Sequence, residues 1–390
     1  MKYIISLLVL LTSITSKSQI ILPFELYENK YVLIKIPGIN NQDTLTFYFD
    51  TGASTTLINK ETAKKYNIIA DFQQSVPGAS GNKIYEIATN QQIYLTQQKS
   101  INHINIVIED LTRLNGSIGK KFDGIIGNDI LKDYLTQIDF DKKQIYLYPF
   151  NSKLEKKGYT EIDFTFNNSI PIPQFPITIE LLNGEKFSGN ILFDSGAGIL
   201  LYINTPFQQE NNIINKVGKT IVSTQNDLSN KTEITLSVIK SLSIGTYKFD
   251  GKLPVRISTD NAGVSSYKGY LGILGSDIIN RFNIILDYSI QKLYLKPNNL
   301  YNNNFTTAVS PMKLTVIDDK IVIESIIENS QAYLNGLREG QTIVSINGFI
   351  SKDISKYREL LLEEGKEVEV KYIDDRNVEK KCRFELEKVF

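Results

Sequence analysis

Apolar residues along this chain fall in short runs bounded by Gly, Pro, Asn or Asp, several of them alternating with polar residues. Segments 31–36 (YVLIKI), 44–49 (TLTFYF), 91–95 (QQIYL), 104–109 (INIVIE) and 143–149 (KQIYLYP) read as strands, and so do 176–181 (PITIEL), 189–193 (GNILF), 232–236 (TEITL) and 291–297 (QKLYLKP). Asn183-Gly184 is a hairpin signal. Helical signals are few: Asn59 can cap a segment reaching Tyr66, Thr205-Pro206 can open another, and Asn128 and Ser276 sit where caps belong. The pattern predicts a mainly β chain.

The strand pattern occurs twice. FYFDTGASTTLIN (47–59) returns as ILFDSGAGILLYIN, and DGIIGNDILKDYLTQIDFDKKQIYLYP (123–149) returns as LGILGSDIINRFNIILDYSIQKLYLKP (271–297). Asp50 and Asp194 are 144 residues apart, Gly127 and Gly275 148 apart. Two ordered blocks sharing nearly one period indicate a duplicated unit, which chance Asp-Xaa-Gly turns would not produce.

Composition narrows the chemistry. The 390 residues hold 43 basic and 43 acidic side chains, so no net field draws a polyanion, and nucleic acid is not an expected partner. With His103 as the one histidine and Cys382 as the one cysteine, disulfide frameworks, Cys/His zinc sites and Ser-His-Asp triads lack their parts. Catalysis has to run on carboxylates, hydroxyls, amines or backbone. Residues 1–18 carry Lys2, an apolar run over 3–11 and small residues Ser16 and Ser18, which reads as a secretory signal peptide removed near Ser18. That run is too short for the ~20 residues of a bilayer span, so no stable transmembrane anchor is expected.

Two units, each with Phe-Asp-Thr/Ser-Gly-Ala followed downstream by Ile125-Ile126-Gly127 or Ile273-Leu274-Gly275, resemble the aspartic proteases, and the retropepsin-like bacterial branch more than pepsin. The resemblance implies a bilobal double β-barrel, with lobes over 19–152 and 153–298, in which Asp50 and Asp194 form a catalytic dyad. Two close carboxylates share one proton and titrate as a pair, and the aspartic proteases are the type case. By the resemblance, the dyad holds a water that attacks a peptide carbonyl, and no metal or cofactor is needed. Gly52 and Gly196 leave room at the turn, and Thr51 and Ser195 buttress the two loops across the interface. Ala53 and Ala197 stand where pepsin-like lobes carry Ser or Thr, so one hydroxyl donor to each carboxylate is missing and the working pH is expected to move toward neutral. Segment 75–88, with Gly78, Gly81 and Tyr85, has the Gly-rich tip of a flap that contacts substrate. Its second-lobe counterpart (221–236) has no Gly, which predicts a single, asymmetric flap.

Past an Asn-rich linker at 299–306 the pattern changes. Segment 307–390, notably NGLREGQTIVSING (335–348), resembles a small α+β PDZ domain, with Gly336, Gly340 and Gly348 at chain turns and Gly365 ending a helix. The resemblance implies a peptide groove along Lys313, Leu314 and Val316, open to a protein ligand that adds as a strand. The sequence therefore points to an exported, monomeric aspartic endopeptidase acting on polypeptides, with a separable recognition module. The competing reading is a catalytically silent peptide-binding scaffold that uses the same cleft and groove.

Overall fold

The computed structural model describes residues 19–39, 43–77, 82–167, 170–226, 231–306, 310–387 and 390. Residues 1–18, Gly78 and Gly81 lie outside these. Three sheets of thirteen, eight and five strands make up the fold.

The repeat read from the sequence is a repeat of structure. Lobe 1 runs Tyr31–Ile36, Leu45–Phe49, Leu57–Asn59, the Lys60–Lys65 helix, Phe72–Pro77, Asn82–Thr96, Lys99–Glu109, Gly124–Ile126, the Asn128–Leu131 turn of helix, Leu135–Asp139 and Gln144–Tyr148. Lobe 2 repeats this order with Ile170–Glu180, Lys186–Phe193, Leu201–Ile203, the Thr205–Glu210 helix, Ile221–Asn226, Lys231–Ile244, Tyr247–Ser258, Gly272–Leu274, the Ser276–Ile279 turn of helix, Phe282–Asp287 and Lys292–Pro297. Leu135–Asp139 pairs antiparallel with its own counterpart Phe282–Asp287, Ile138 opposite Ile284, so the two repeats join across a local twofold. Ile177 pairs with Ile244, closing the lobe 2 sheet on itself. A single apolar core that includes Phe47, Phe49, Ile126, Phe193, Leu274 and Ile284 runs through both lobes.

Two local expectations shift. Gly127 and Gly275, not Asn128 and Ser276, occupy the cap positions of the short helices, because the chain emerges there from a buried strand. The second lobe also builds a hairpin, Ile221–Asn226 against Lys231–Ile244, matching Phe72–Pro77 against Asn82–Thr96. A single flap is therefore the wrong picture. Asn, Asp and Ser around 226–230 are turn formers in their own right, so a missing Gly did not signal a missing hairpin.

The Asn-rich 299–306 stretch packs onto lobe 2 rather than standing apart from it. The Arg281 guanidinium donates to the carbonyls of Leu300 (3.3 Å), Tyr301 (2.9 Å) and Asn303, and lies 3.7 Å from the Phe305 ring centre. One buried arginine thus organises a segment whose composition reads as a spacer. Beyond it, Met312–Ile317, Lys320–Ile326, Thr342–Ile346, Glu367–Ile373 and Glu379–Glu385 form the third sheet in chain order, with an apolar core of their own. The main helix of this module is Ile354–Leu360, capped by Asp353. Gly336, Gly340 and Gly348 all have positive φ, as the turns require. Gly365 does too, but it lies past the end of the helix and donates to the Leu386 carbonyl, so it starts a strand instead of ending a helix.

Candidate active site

Asp50 follows the Leu45–Phe49 strand and Asp194 follows Lys186–Phe193. Behind each, a three-residue strand is threaded between the two strands that flank the loop. Gly124–Ile126 runs parallel to residues 47–49 and antiparallel to Leu57-Ile58, and Gly272–Leu274 does the same with residues 191–193 and 201–203. These buried strands explain the apolar Ile-Ile-Gly and Ile-Leu-Gly signals. They also fix the loops: Asp50 N–H donates to the Ile126 carbonyl (3.0 Å) and Asp194 N–H to that of Leu274 (3.1 Å).

The two carboxylates meet at the local twofold. A Cβ built on Gly52 would fall 2.2 Å from Asp194 Cγ, and one on Gly196 would fall 2.2 Å from Asp50 Cγ. Glycine is required at both positions by close approach, since each carboxylate occupies the space over the other lobe's turn. Asp50 Oδ1 accepts from the N–H groups of Gly52 (2.7 Å) and Ala53 (3.2 Å), and Asp194 Oδ1 from those of Gly196 and Ala197 (both 2.9 Å). Burial raises the pKa of Asp50 above the ordinary carboxylate value, opposed by those backbone donors. Asp194 is held well above it by burial and then by the adjacent Asp50 charge. Such a pair keeps one proton at a pH where isolated carboxylates have lost theirs.

Thr51 and Ser195 are buried and lock the loops reciprocally. Thr51 N–H donates to Ser195 Oγ (3.0 Å) and Ser195 N–H to Thr51 Oγ1 (2.9 Å), while the Thr51 hydroxyl continues to the Phe193 carbonyl (3.1 Å). Each hydroxyl thus serves the backbone of the other loop across the lobe interface. Tyr85, on the Asn82–Thr96 strand of the lobe 1 hairpin, lies at 8% exposure in an apolar cluster with Tyr48, Phe122 and Ile125. Its register partner is Gln74 on the opposite hairpin strand. Lys313, Leu314 and Val316 all lie on the Met312–Ile317 strand, far along the chain from the dyad: Lys313 pairs with Glu324 (2.8 Å), and Leu314 is in the module's core.

Residues 36–130 match the aspartyl protease family model. The match takes in the whole of the Asp50 loop and the strand threaded behind it. The second lobe lies outside it, so its likeness to this aspartyl protease domain is carried by the element order and the loop geometry above. No curated protein gives a significant match to the chain.

Sequence reasoning missed Tyr48 and the turn at Glu28–Lys30. Tyr48 donates to the Gly196 carbonyl (2.8 Å), tying lobe 1 to the Asp194 loop. The available signal was an unlike position just before the shared Phe-Asp of the repeat, Tyr48 against Leu192. Lys30 reaches the same loop, donating to the Gly198 carbonyl (3.3 Å) and pairing with Asp277 (3.3 Å).

Proposed function

We propose that the protein is an exported aspartic endopeptidase in which Asp50 and Asp194 hydrolyse peptide bonds through one shared proton. The observation that carries this reading is the mutual insertion of the two carboxylates over Gly196 and Gly52 on a local twofold. In the singly protonated pair, one carboxylate accepts a proton from the attacking water while the other acid supplies one to the substrate carbonyl oxygen. Collapse of the resulting gem-diol breaks the C–N bond as the departing amine takes up the proton held by one carboxylic acid, while the other carboxylate accepts a proton from a diol hydroxyl as the C=O re-forms, so the pair again holds one proton. The backbone N–H groups of residues 52, 53, 196 and 197 keep the carboxylates oriented throughout, and the Thr51/Ser195 lock keeps them facing each other. The hairpins at 72–96 and 221–244 would close over an extended polypeptide.

Residues 1–18 fit the export signal, and the 310–387 module fits polypeptide recognition by a PDZ-like edge strand. No helix among the described residues is long and apolar enough to cross a membrane. Digestion of a peptide library by the purified protein, read by mass spectrometry, should give internal cleavages that disappear in Asp50→Asn. Equal cleavage by the variant would overturn the dyad assignment, and an inert wild type would favour the silent scaffold.

A further inference from the structure

The groove expected to receive a peptide is already filled. Met312–Ile317 is an edge strand of its sheet, and both the Thr112–Ile118 helix of lobe 1 and the module's own Ile354–Leu360 helix pack against it. Two glycines of that lobe 1 segment make the fit possible. A Cβ on Gly116 would lie 2.3 Å from the Val316 carbonyl oxygen, and one on Gly119 would lie 2.1 Å from Ile354 Cγ2. Neither contact is local in sequence: Gly116, inside the helix, answers to the module, while Gly119 also ends its own helix in the left-handed conformation at φ 84°.

Arg358, on the module helix, bolts the arrangement. Its Nη1 donates to both carboxylate oxygens of Glu28 (3.0 and 3.1 Å), and the guanidinium also donates to the carbonyls of Ser117, Ile118 (3.0 Å) and, within the module, Leu314 (3.2 Å). The Ser117 and Ile118 carbonyls end a helix and have no further turn to bond to, so the arginine completes them. The Arg358 and Glu28 side chains are 24% and 19% exposed, so solvent and salt only partly screen the pair. Glu28 is also next to the turn that holds lobe 2: Asn280 Nδ2 donates to the carbonyls of Asn29 (3.1 Å) and Lys30 (2.9 Å), and Lys30 reaches Gly198 in the Asp194 loop.

We infer that the module is latched in cis, with the lobe 1 helix as the resident occupant of its groove and Arg358 as the latch. Any polypeptide that adds to the Met312–Ile317 edge must first displace Thr112–Ile118. Leu111, Ile118 and Phe122 share a cluster with Tyr48, and Ala53 next to Asp50 packs on it, so displacement moves the wall of the Asp50 loop. Groove occupancy and cleft geometry are therefore linked in both directions. Arg358 is a positioning residue in this scheme and touches no reacting atom. The functional consequence rests on the peptidase reading, whereas the latch itself does not.

The test is hydrogen exchange on the full-length chain, comparing wild type with Gly116→Ala and Arg358→Ala. Gly116→Ala favours its own helix by intrinsic propensity, so loosening of that helix can come only from the lost docking. Both variants should exchange about tenfold faster or more at amides of 112–118 and 312–317, with the 367–385 strands still protected. If Arg358→Ala unfolds the module, Glu28→Gln is read in the same way, since it removes only the partner's charge. Unchanged exchange at both segments in the folded variants would overturn the latch. Absence of peptidase activity with faster exchange would leave the latch standing and remove the peptidase reading alone.

Discussion

Asp194→Asn is expected to lower the kcat of peptide hydrolysis by about 10³-fold or more, because acid and base are one proton-sharing pair and half of it does not retain half the activity. The same change should make the folded protein more stable at neutral pH. The sign follows from proton binding. Asp194 has a raised pKa in the folded chain, so above the ordinary unfolded value of about 3.9 the folded state binds more protons than the unfolded one. Stability then falls as pH rises from that value toward the folded pKa, by up to about 1.4 kcal/mol for each pH unit crossed. Asn has no proton to lose, and its amide oxygen can still accept from the Gly196 and Ala197 N–H groups. Thermal unfolding of both proteins should show a gap in favour of Asp194→Asn that is small near pH 3.5 and widens toward pH 7.5. A variant that is less stable than wild type at pH 7.5 would mean that burial does not hold this carboxylate's proton.

The second large effect concerns the lock between the loops. Thr51→Ala leaves the buried Ser195 N–H and the Phe193 carbonyl without the partners they have now, at a cost of about 1–3 kcal/mol for each group that finds no substitute. Ser195→Ala does the same to the Thr51 N–H. Because each residue's hydroxyl serves the other's backbone, the double variant should lose less stability than the sum of the singles, with a coupling above the ~0.5 kcal/mol seen for independent sites. Urea unfolding of the four proteins measures this. Additive losses would mean that the two halves of the lock act independently. Activity should fall with stability in all three variants, since the carboxylates face each other only while the loops are tied, and Thr51→Ser should retain both.

The site was legible in the sequence for a specific reason. Its chemistry sits on a repeat, and a repeat turns two weak Asp-Xaa-Gly signals into one strong one. Asp50, Asp194, the two glycines and the two hydroxyls all fall within a few residues of each other in each copy, so local pattern was enough. What escaped was non-local. Tyr48 reaches across 148 residues, Lys30 across 168 and Arg358 across 330 to Glu28, and no spacing rule connects such pairs. Arg281 turns an Asn-rich stretch into an ordered cover for lobe 2, although composition alone favours a spacer there. Gly116 resembles a helix-weakening residue until the module that presses on it is in view.

The pH dependence of kcat/KM, on a peptide selected from the library digestion, tests the shared-proton dyad most directly. Both carboxylates are raised by burial, so the profile should be bell-shaped, with its alkaline limb above the ordinary carboxylate range and activity extending toward neutral pH. The two limbs belong to the pair. A profile with no alkaline limb, or with activity lost at the pH where an isolated carboxylate ionises, would contradict a dyad that keeps one proton.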